Sequence, residues 1–226
     1  MKILAFDTST EVMTIAVQNG EQVFEFAGSG GAQASGRLIP EIQRLMREAE
    51  LAFTDLDCIA FGAGPGAFTG LRASCAVAQG LGFAAGVMLA PINTLHAVAL
   101  QRHSQQGIAG SSQITPAIDA RMGEVYWQRF DFANDPNGTA IDAEPQLSKA
   151  DILVEGASFA LGTLPTARTL LDLASIMLVN GLAVRPADAL PLYVRNKVAE
   201  TTVEREITKA NKQSLAVIPA QAGIHA

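Results

Sequence analysis

Acidic residues are missing from a long central part of the chain, since no Asp or Glu occurs between Asp57 and Asp119. Charged side chains usually mark the solvated face of a helix, so helices in this stretch are predicted to be buried on most sides. In a chain of 226 residues, a second protein could provide part of that burial. The gap therefore favours a function exerted through a partner over a self-contained active site.

Cysteine and histidine are also scarce, and the net charge is negative. The two cysteines, Cys58 and Cys75, stand in apolar surroundings and form no CxxC pair, which predicts reduced, buried thiols. The three histidines form neither an HExxH nor an HxxxH pair, so no metal site is predicted. A net charge of −6 argues against strong binding of nucleic acid by this chain alone.

A convincing membrane-spanning or secretory segment is lacking as well. Ala73 to Ala90 carry no charge, but they are mostly Ala and Gly, include Gln79 and break at Gly86. The start of the chain, MKILAFDTST, reaches Asp7 before any signal-like apolar stretch develops. These features predict a cytoplasmic protein without a membrane anchor.

Strand and helix patterns alternate along the chain and predict an α/β fold. Three strands come first, and an Asn19-Gly20 turn between the second and third is typical of a hairpin. An amphipathic helix follows. A second helix, Gly70 to Ala85, stands between two short strands, and Asn93 is a good cap for the next helix.

The opening pattern returns once. Leu4 to Val12 and Pro116 to Val125 each contain an apolar strand, a terminal Asp, a short turn and a Glu-Val pair. The repeat predicts two related α/β domains, at residues 1–106 and 107–200. An extension at 201–226 is predicted to be disordered at its end.

The aspartates of the repeat, Asp7 and Asp119, are the best polar candidates in the chain. Each ends an apolar strand, where a carboxylate can hold a metal-bound phosphate beside a nucleotide. The alternative is that each carboxylate caps its own turn. The sequence leaves both interpretations open.

A glycine-rich turn, GAGPGAFTGLR, begins at Gly62. It matches the GxGxxG/A dinucleotide fingerprint, but the acid-free stretch lacks the acidic residue that would hold a ribose. The lysine of a P-loop is missing too, because Leu71 and Arg72 follow Gly70. This turn is therefore predicted to shape the start of a helix and not to bind a nucleotide.

Small residues recur at every fourth position along that helix, namely Gly70, Ser74, Ala78, Gly82 and Gly86. Such a stripe allows close approach either of the chain's own sheet or of a partner's helix, and the two can coexist on opposite faces. The predicted partner interface combines this helix with the preceding one. Its residues are Arg72, Ser74, Ala78, Gly82, Leu38 and Ile42.

Four separated motifs, in order FDTST, FGAGPGAFTGLR, AIDARMGEVYW and YVRNKVA, together resemble the bacterial TsaB (YeaZ) family of tRNA threonylcarbamoyladenosine biosynthesis proteins. The resemblance covers about residues 1–200. It implies two ribonuclease-H-like halves of the actin, Hsp70 and sugar-kinase (ASKHA) type. The segment between Leu161 and Leu170 is short for the family, which implies an abbreviated second domain.

The resemblance also implies a function. Members of the family are non-catalytic partners of a related catalytic subunit, TsaD, and act together with the ATPase TsaE. The assembly transfers a threonylcarbamoyl group to the adenosine 3′ of the tRNA anticodon. On this basis the chain binds no cofactor alone, ATP or ADP can lie at the complex interface, a homodimer can form in isolation, and tRNA is reached only through the complex.

The catalytic paralogue carries a metal-binding His-x-x-x-His pair, and its positions align here with Thr94 and Val98. Neither residue replaces an imidazole ligand, which favours a partner over a catalyst. Two other functions stay open: an ATP-dependent small-molecule kinase of the same fold, which would use Asp7 and Asp119, and a peptidase-like relative.

Overall fold

The amino-terminal strands form one sheet of five, in the order β3-β2-β1-β4-β5. In this computed structural model, which describes residues 1–31, 34–106, 112–150, 159–160 and 162–195, the strands are β1 (Lys2–Asp7), β2 (Val12–Asn19), β3 (Gln22–Ser29), β4 (Cys58–Gly64) and β5 (Leu89–Asn93). β1, β2 and β3 are antiparallel, whereas β4 and β5 run parallel to β1 and to each other. The hairpin predicted at Asn19-Gly20 is confirmed, because Asn19 pairs with Gln22 and Gly20 has a φ of 63°.

Helices cover both faces of this sheet, and they are α1 (Ala34–Glu48), α2 (Phe68–Ala85), α3 (Thr94–Gln106) and α4 (Ala167–Val179). Successive side chains of a strand point to opposite faces. Leu4 and Phe6 therefore share a core with α1 and α2. Ile3 and Ala5 share the other core with α3 and α4.

A second sheet is built around β6 and lies against α3. Its strands are β6 (Gln113–Arg121), β7 (Glu124–Trp127), β8 (Phe130–Asp131), β9 (Thr139–Ala140), β10 (Gln146–Lys149) and β11 (Phe159–Ala160). β6 pairs antiparallel with β7 and β8 and parallel with β11, while β10 and β9 extend the sheet beyond β7 and β8. Ile118 and Phe130 enter the same core as α3, so that helix lies between the two sheets.

The α/β prediction is confirmed at this level, as a mixed fold with two sheets. Asn93 caps α3 as predicted, because its Oδ1 accepts a hydrogen bond from the Leu95 amide at 2.9 Å. α1 begins at Ala34, so Pro40 lies inside the helix. The division at residue 106 stays a prediction, and the extension at 201–226 lies outside the described residues.

Candidate protein-interaction surface and the Asp7 hairpin

Asp7 ends β1 inside the protein, with no exposed surface. Its Oδ1 accepts a short hydrogen bond from the Ser9 amide, and its Oδ2 accepts one from the Thr94 hydroxyl at 3.2 Å. Both carboxylate oxygens are therefore engaged by the chain itself. Asp7 caps the turn between β1 and β2, which is one of the two roles that the sequence left open.

The glycine-rich turn closes over this hairpin. A Cβ on Gly62 would lie 1.8 Å from Oδ2 of Asp7, and one on Gly70 would lie 1.9 Å from the Thr8 carbonyl oxygen. The amide of Ala67 donates to the Ser9 carbonyl at 2.7 Å. The glycines are thus required by close packing within the chain, because a side chain at either position would collide with the Asp7 hairpin.

Hydroxyl groups also pack around the Asp7 hairpin. The Thr8 and Ser74 side chains hydrogen-bond each other at 2.7 Å, and the Thr8 hydroxyl also donates to the Gly70 carbonyl at 2.8 Å. Thr94, at one of the two positions aligned with the paralogue's metal ligands, is fully buried against Asp7. Val98, at the other, is buried in the apolar core. The space around Asp7 is consequently filled by the chain's own side chains.

Burial raises the pKa of the Asp7 carboxyl above its ordinary value of 3.8, although its hydrogen bonds with Ser9 and Thr94 oppose that effect. A buried carboxylate loses its hydration, and no described cation hydrogen-bonds or ion-pairs with this one. The charged form is therefore costly here. That environment suits a structural cap better than a phosphate-site carboxylate that holds a metal ion.

Asp119 forms the same kind of cap at the surface of the protein. It lies in β6, its Oδ1 accepts from the Arg121 amide at 2.7 Å, and its Oδ2 lies 3.1 Å from the Arg121 guanidinium. The Asp119 side chain is 62% exposed. The structure thus confirms the repeated Asp-tipped hairpin, while each aspartate bonds within its own turn.

Five of the six residues predicted to contact a partner lie in the chain's own core. They are Ser74, Ala78 and Gly82 of α2 and Leu38 and Ile42 of α1. A Cβ on Gly82 would lie 2.8 Å from a Leu89 methyl carbon and 2.9 Å from the Pro186 ring. Ser74, Ala78 and Gly82 of the small-residue stripe therefore pack inward, as the first of the two sequence alternatives proposed, while Gly86 is exposed at the end of α2. None of the five residues is available to a partner.

Arg72 is the sixth residue, and it points outward from α2. Ala76 and Gly80 are exposed on the same helix, and Phe83 is 64% exposed. α1 contacts α2 and exposes Ile39. We call the outward residues of α2, namely Arg72, Ala76, Gly80 and Phe83, the α2 surface.

Tyr193 adjoins this surface and was not identified from the sequence as a site residue. The segment from Ala189 to Tyr193 runs along α2, where the Ala189 carbonyl accepts from the Gln79 side chain at 3.0 Å. Tyr193 accepts a hydrogen bond from Arg72 Nε at 3.0 Å. The contact joins residues 121 positions apart, so no local pattern could reveal it.

Within the described residues, no three His, Cys, Asp or Glu side chains come together in a way that could hold a metal ion. The helices of that same part of the chain include none that is long and apolar enough to cross a membrane.

Comparison with known proteins gives concordant matches. A family model described as "TsaD: tRNA N6-adenosine threonylcarbamoyltransferase" matches residues 31–156. The Escherichia coli tRNA threonylcarbamoyladenosine biosynthesis protein TsaB is 31% identical, over 88% of this chain and 96% of its own length. Its namesake from Haemophilus influenzae is 28% identical, over 88% and 95%. YeaZ from Pseudomonas aeruginosa aligns with a TM-score of 0.78 and 28% identity, over 85% of this chain and 99% of that one.

The family-model match covers more than half of the chain and identifies its class, the α/β proteins related to TsaD. Within that class, the full-length relatives and the similar solved structure are more specific. The chain belongs to the TsaB (YeaZ) family.

Proposed function

We propose that this chain is a non-catalytic partner subunit in tRNA threonylcarbamoyladenosine biosynthesis, and that it binds a TsaD-type catalytic subunit through the α2 surface. The observation that carries the proposal is the composition of that surface. Arg72 is the only charged residue of α2, and the exposed side of the helix also presents Phe83. An apolar surface with an aromatic and an arginine, and without acidic residues, is typical of the centre of a protein interface.

The environment of Asp7 supports the non-catalytic part of the proposal. A phosphate-site aspartate must present an oxygen to a metal ion or nucleotide, whereas both Asp7 oxygens are buried and engaged. The same argument weakens the kinase alternative, which needs Asp7 at a phosphate. Among the described residues, no metal-binding group of His, Cys, Asp or Glu side chains favours the peptidase alternative.

Several finer features belong to the same proposal. The two sheets correspond to two ribonuclease-H-like halves, of which the second is abbreviated. ATP or ADP lies at the interface of the complex, a TsaE-type ATPase joins it, and the chain forms a homodimer when the partner is absent. The complex operates in the cytoplasm and brings tRNA to the catalytic subunit. The net charge of −6 supports tRNA binding through the complex, because an acidic chain attracts the phosphates of tRNA only weakly by itself.

Reconstitution tests the proposal. The TsaD-type and TsaE-type subunits from the same organism are assayed for tRNA threonylcarbamoylation with and without this chain. The proposal expects modification only when the chain is present, and stable co-purification of the chain with the TsaD-type subunit. Full modification without the chain, or modification by the chain alone, would contradict it.

Paired surface variants test the location of the interface. Phe83→Asp places a charge on the α2 surface, and Ile141→Asp places one at a side chain that is 43% exposed on the second sheet's side. Both positions are exposed, so both variants should fold. We expect only Phe83→Asp to abolish co-purification, since an unpaired charge at an interface centre costs several kcal/mol, about 2–5. Equal behaviour of the two variants would place the interface elsewhere.

A further inference from the structure

Arg72 is held in one orientation by two aromatic rings. Its guanidinium carbon lies 3.7 Å from the centroid of the Phe68 ring, one turn earlier on α2. The Tyr193 hydroxyl accepts a hydrogen bond from Nε at 3.0 Å, and the Tyr193 ring lies 5.7 Å from that of Phe68. A long exposed side chain normally samples many rotamers, whereas stacking and a hydrogen bond restrict this one.

The restrained side chain keeps most of its donors. Nε is engaged by Tyr193, and among the described residues Nη1 and Nη2 of Arg72 have no hydrogen-bond acceptor. No acidic residue occurs between Asp57 and Asp119, so α2 has no carboxylate of its own for this guanidinium. The two Nη groups carry four of the five guanidinium N–H donors, and together they can bind a carboxylate through paired hydrogen bonds.

Arg72 and Phe83 face the same direction. They are eleven positions apart, which is close to three helical turns, or about 16 Å along the axis. The exposed positions between them, Ala76 and Gly80, are small and uncharged. A partner can therefore lie flat along α2, with an apolar contact at Phe83 and a charged contact at Arg72.

We propose that Arg72, positioned by Phe68 and Tyr193, is the receptor for an Asp or Glu side chain of the partner protein. This inference rests on the proposed function, because it names the chemistry of the partner at the α2 surface. Restriction of Arg72 before binding lowers the entropy lost on association, so the ion pair contributes more to affinity than one formed by a freely rotating arginine. Tyr193 is a positioning residue, acting through Arg72.

A protein carboxylate fits the surface better than an RNA phosphate. Nucleic acid is bound by several cations that neutralise successive phosphates. Arg72 is the one charged residue of α2, and the neighbouring exposed residues are apolar or small. An isolated arginine among such residues is the pattern of a protein interface.

Affinity measurements at two salt concentrations test the inference, with the purified TsaD-type subunit as the probe. Arg72→Gln removes the charge, and Arg121→Gln removes another exposed arginine, on the second hairpin, as a control. We expect Arg72→Gln to raise Kd by about 30-fold or more and Arg121→Gln to leave it unchanged. The Kd of the wild type should rise between about 0.05 and 0.5 M salt, and this rise should be smaller for Arg72→Gln.

Two further measurements separate the ion pair from a general packing effect. Tyr193→Phe keeps the ring and loses the hydroxyl, so Kd should rise only a few-fold while the salt dependence remains. Asp→Asn and Glu→Gln variants of the partner should include one whose effect disappears when Arg72 is already Gln.

The outcomes distinguish this inference from the proposed function. Failure of the wild-type chain to bind the TsaD-type subunit would overturn both. Normal binding by Arg72→Gln, or weaker binding with an unchanged salt dependence and no matching carboxylate, would overturn the inference alone. A selective loss of tRNA affinity in Arg72→Gln, with partner binding intact, would assign Arg72 to RNA and overturn the inference as well.

Discussion

The two Asp-tipped hairpins share a local design and differ in everything around them. Asp7 and Asp119 each accept a hydrogen bond from the backbone amide two residues later, at Ser9 and Arg121. Asp7 is completely buried beneath the glycine-rich turn, whereas the Asp119 side chain is 62% exposed and pairs with the Arg121 guanidinium. The same short sequence pattern therefore occurs once as part of the core and once as an open surface turn.

The comparison shows that the turn itself needs only the aspartate cap. The two hairpins differ in what packs against them. At Asp7, α2 and the glycines before it fill the space that a bound nucleotide would need. A hairpin whose carboxylate is enclosed in this way supports the fold and has no access to a substrate. The proposed function therefore depends on an exposed surface, the α2 surface, and not on this carboxylate.

The largest expected effect comes from adding one methyl group beside Asp7. Gly62→Ala places a Cβ 1.8 Å from Oδ2 of Asp7, which the packed hairpin cannot accommodate. We expect a loss of about 4 kcal/mol or more in the free energy of unfolding, or failure to fold. A Cβ on Gly123, near Asp119, would have no atom within 4 Å. Gly123→Ala should therefore cost only the backbone strain of a φ of 74°, about 1–2 kcal/mol.

Chemical denaturation of both glycine variants checks this contrast. If Gly62→Ala were as stable as Gly123→Ala, the space next to Asp7 would have to accept an added methyl group. The two hairpins would then be equally open.

Removing the carboxylates should give the next largest difference. Asp7→Ala leaves the Ser9 amide and the Thr94 hydroxyl without their buried acceptor, so we expect a loss of about 2 kcal/mol or more in unfolding free energy. Asp119→Ala changes an exposed turn and should cost about 0.5 kcal/mol. Thermal and urea unfolding of the two variants measure the difference, and equal losses would contradict the burial argument.

A smaller effect follows from the raised pKa of Asp7. A carboxyl with a higher pKa in the folded than in the unfolded state holds its proton more tightly when folded. Its contribution to stability is therefore greatest below its ordinary pKa of 3.8 and falls as pH rises through the folded pKa. Asp7→Asn cannot titrate, so the stability of the wild type relative to this variant should decrease from about pH 4 to pH 7. If the stability of the wild type relative to Asp7→Asn stayed constant or increased over this range, the pKa of Asp7 would not be raised by burial.

Much of the first sheet was predictable, because its signals are local. Asn19-Gly20 specifies a hairpin through its tolerance of positive φ, and Asn93 caps the helix that follows it. The repeat around Asp7 and Asp119 likewise predicted paired hairpins. These features depend on residues a few positions apart, so a single sequence contains the necessary information.

The direction of the small-residue stripe was not predictable. Gly82 and Ala78 suit an inward face pressed against the chain's own strands as well as an outward face pressed against another helix, because neither has a side chain that distinguishes core from interface. The burial difference between Asp7 and Asp119 depends on where α2 lies, and the Arg72–Tyr193 contact depends on a segment far along the chain. Only the three-dimensional structure reveals such contacts.

The central claim is that this chain acts through a surface and not through a catalytic carboxylate. The most direct test is the Asp7→Asn, Asp119→Asn double variant in the reconstituted tRNA threonylcarbamoylation assay. The asparagine amide retains an acceptor for the Ser9 amide, so the protein should fold and bind its partner. We predict a modification rate close to that of the wild type. A fall of about 100-fold or more, with folding and partner binding intact, is the loss expected for a catalytic acid or base and would contradict the claim.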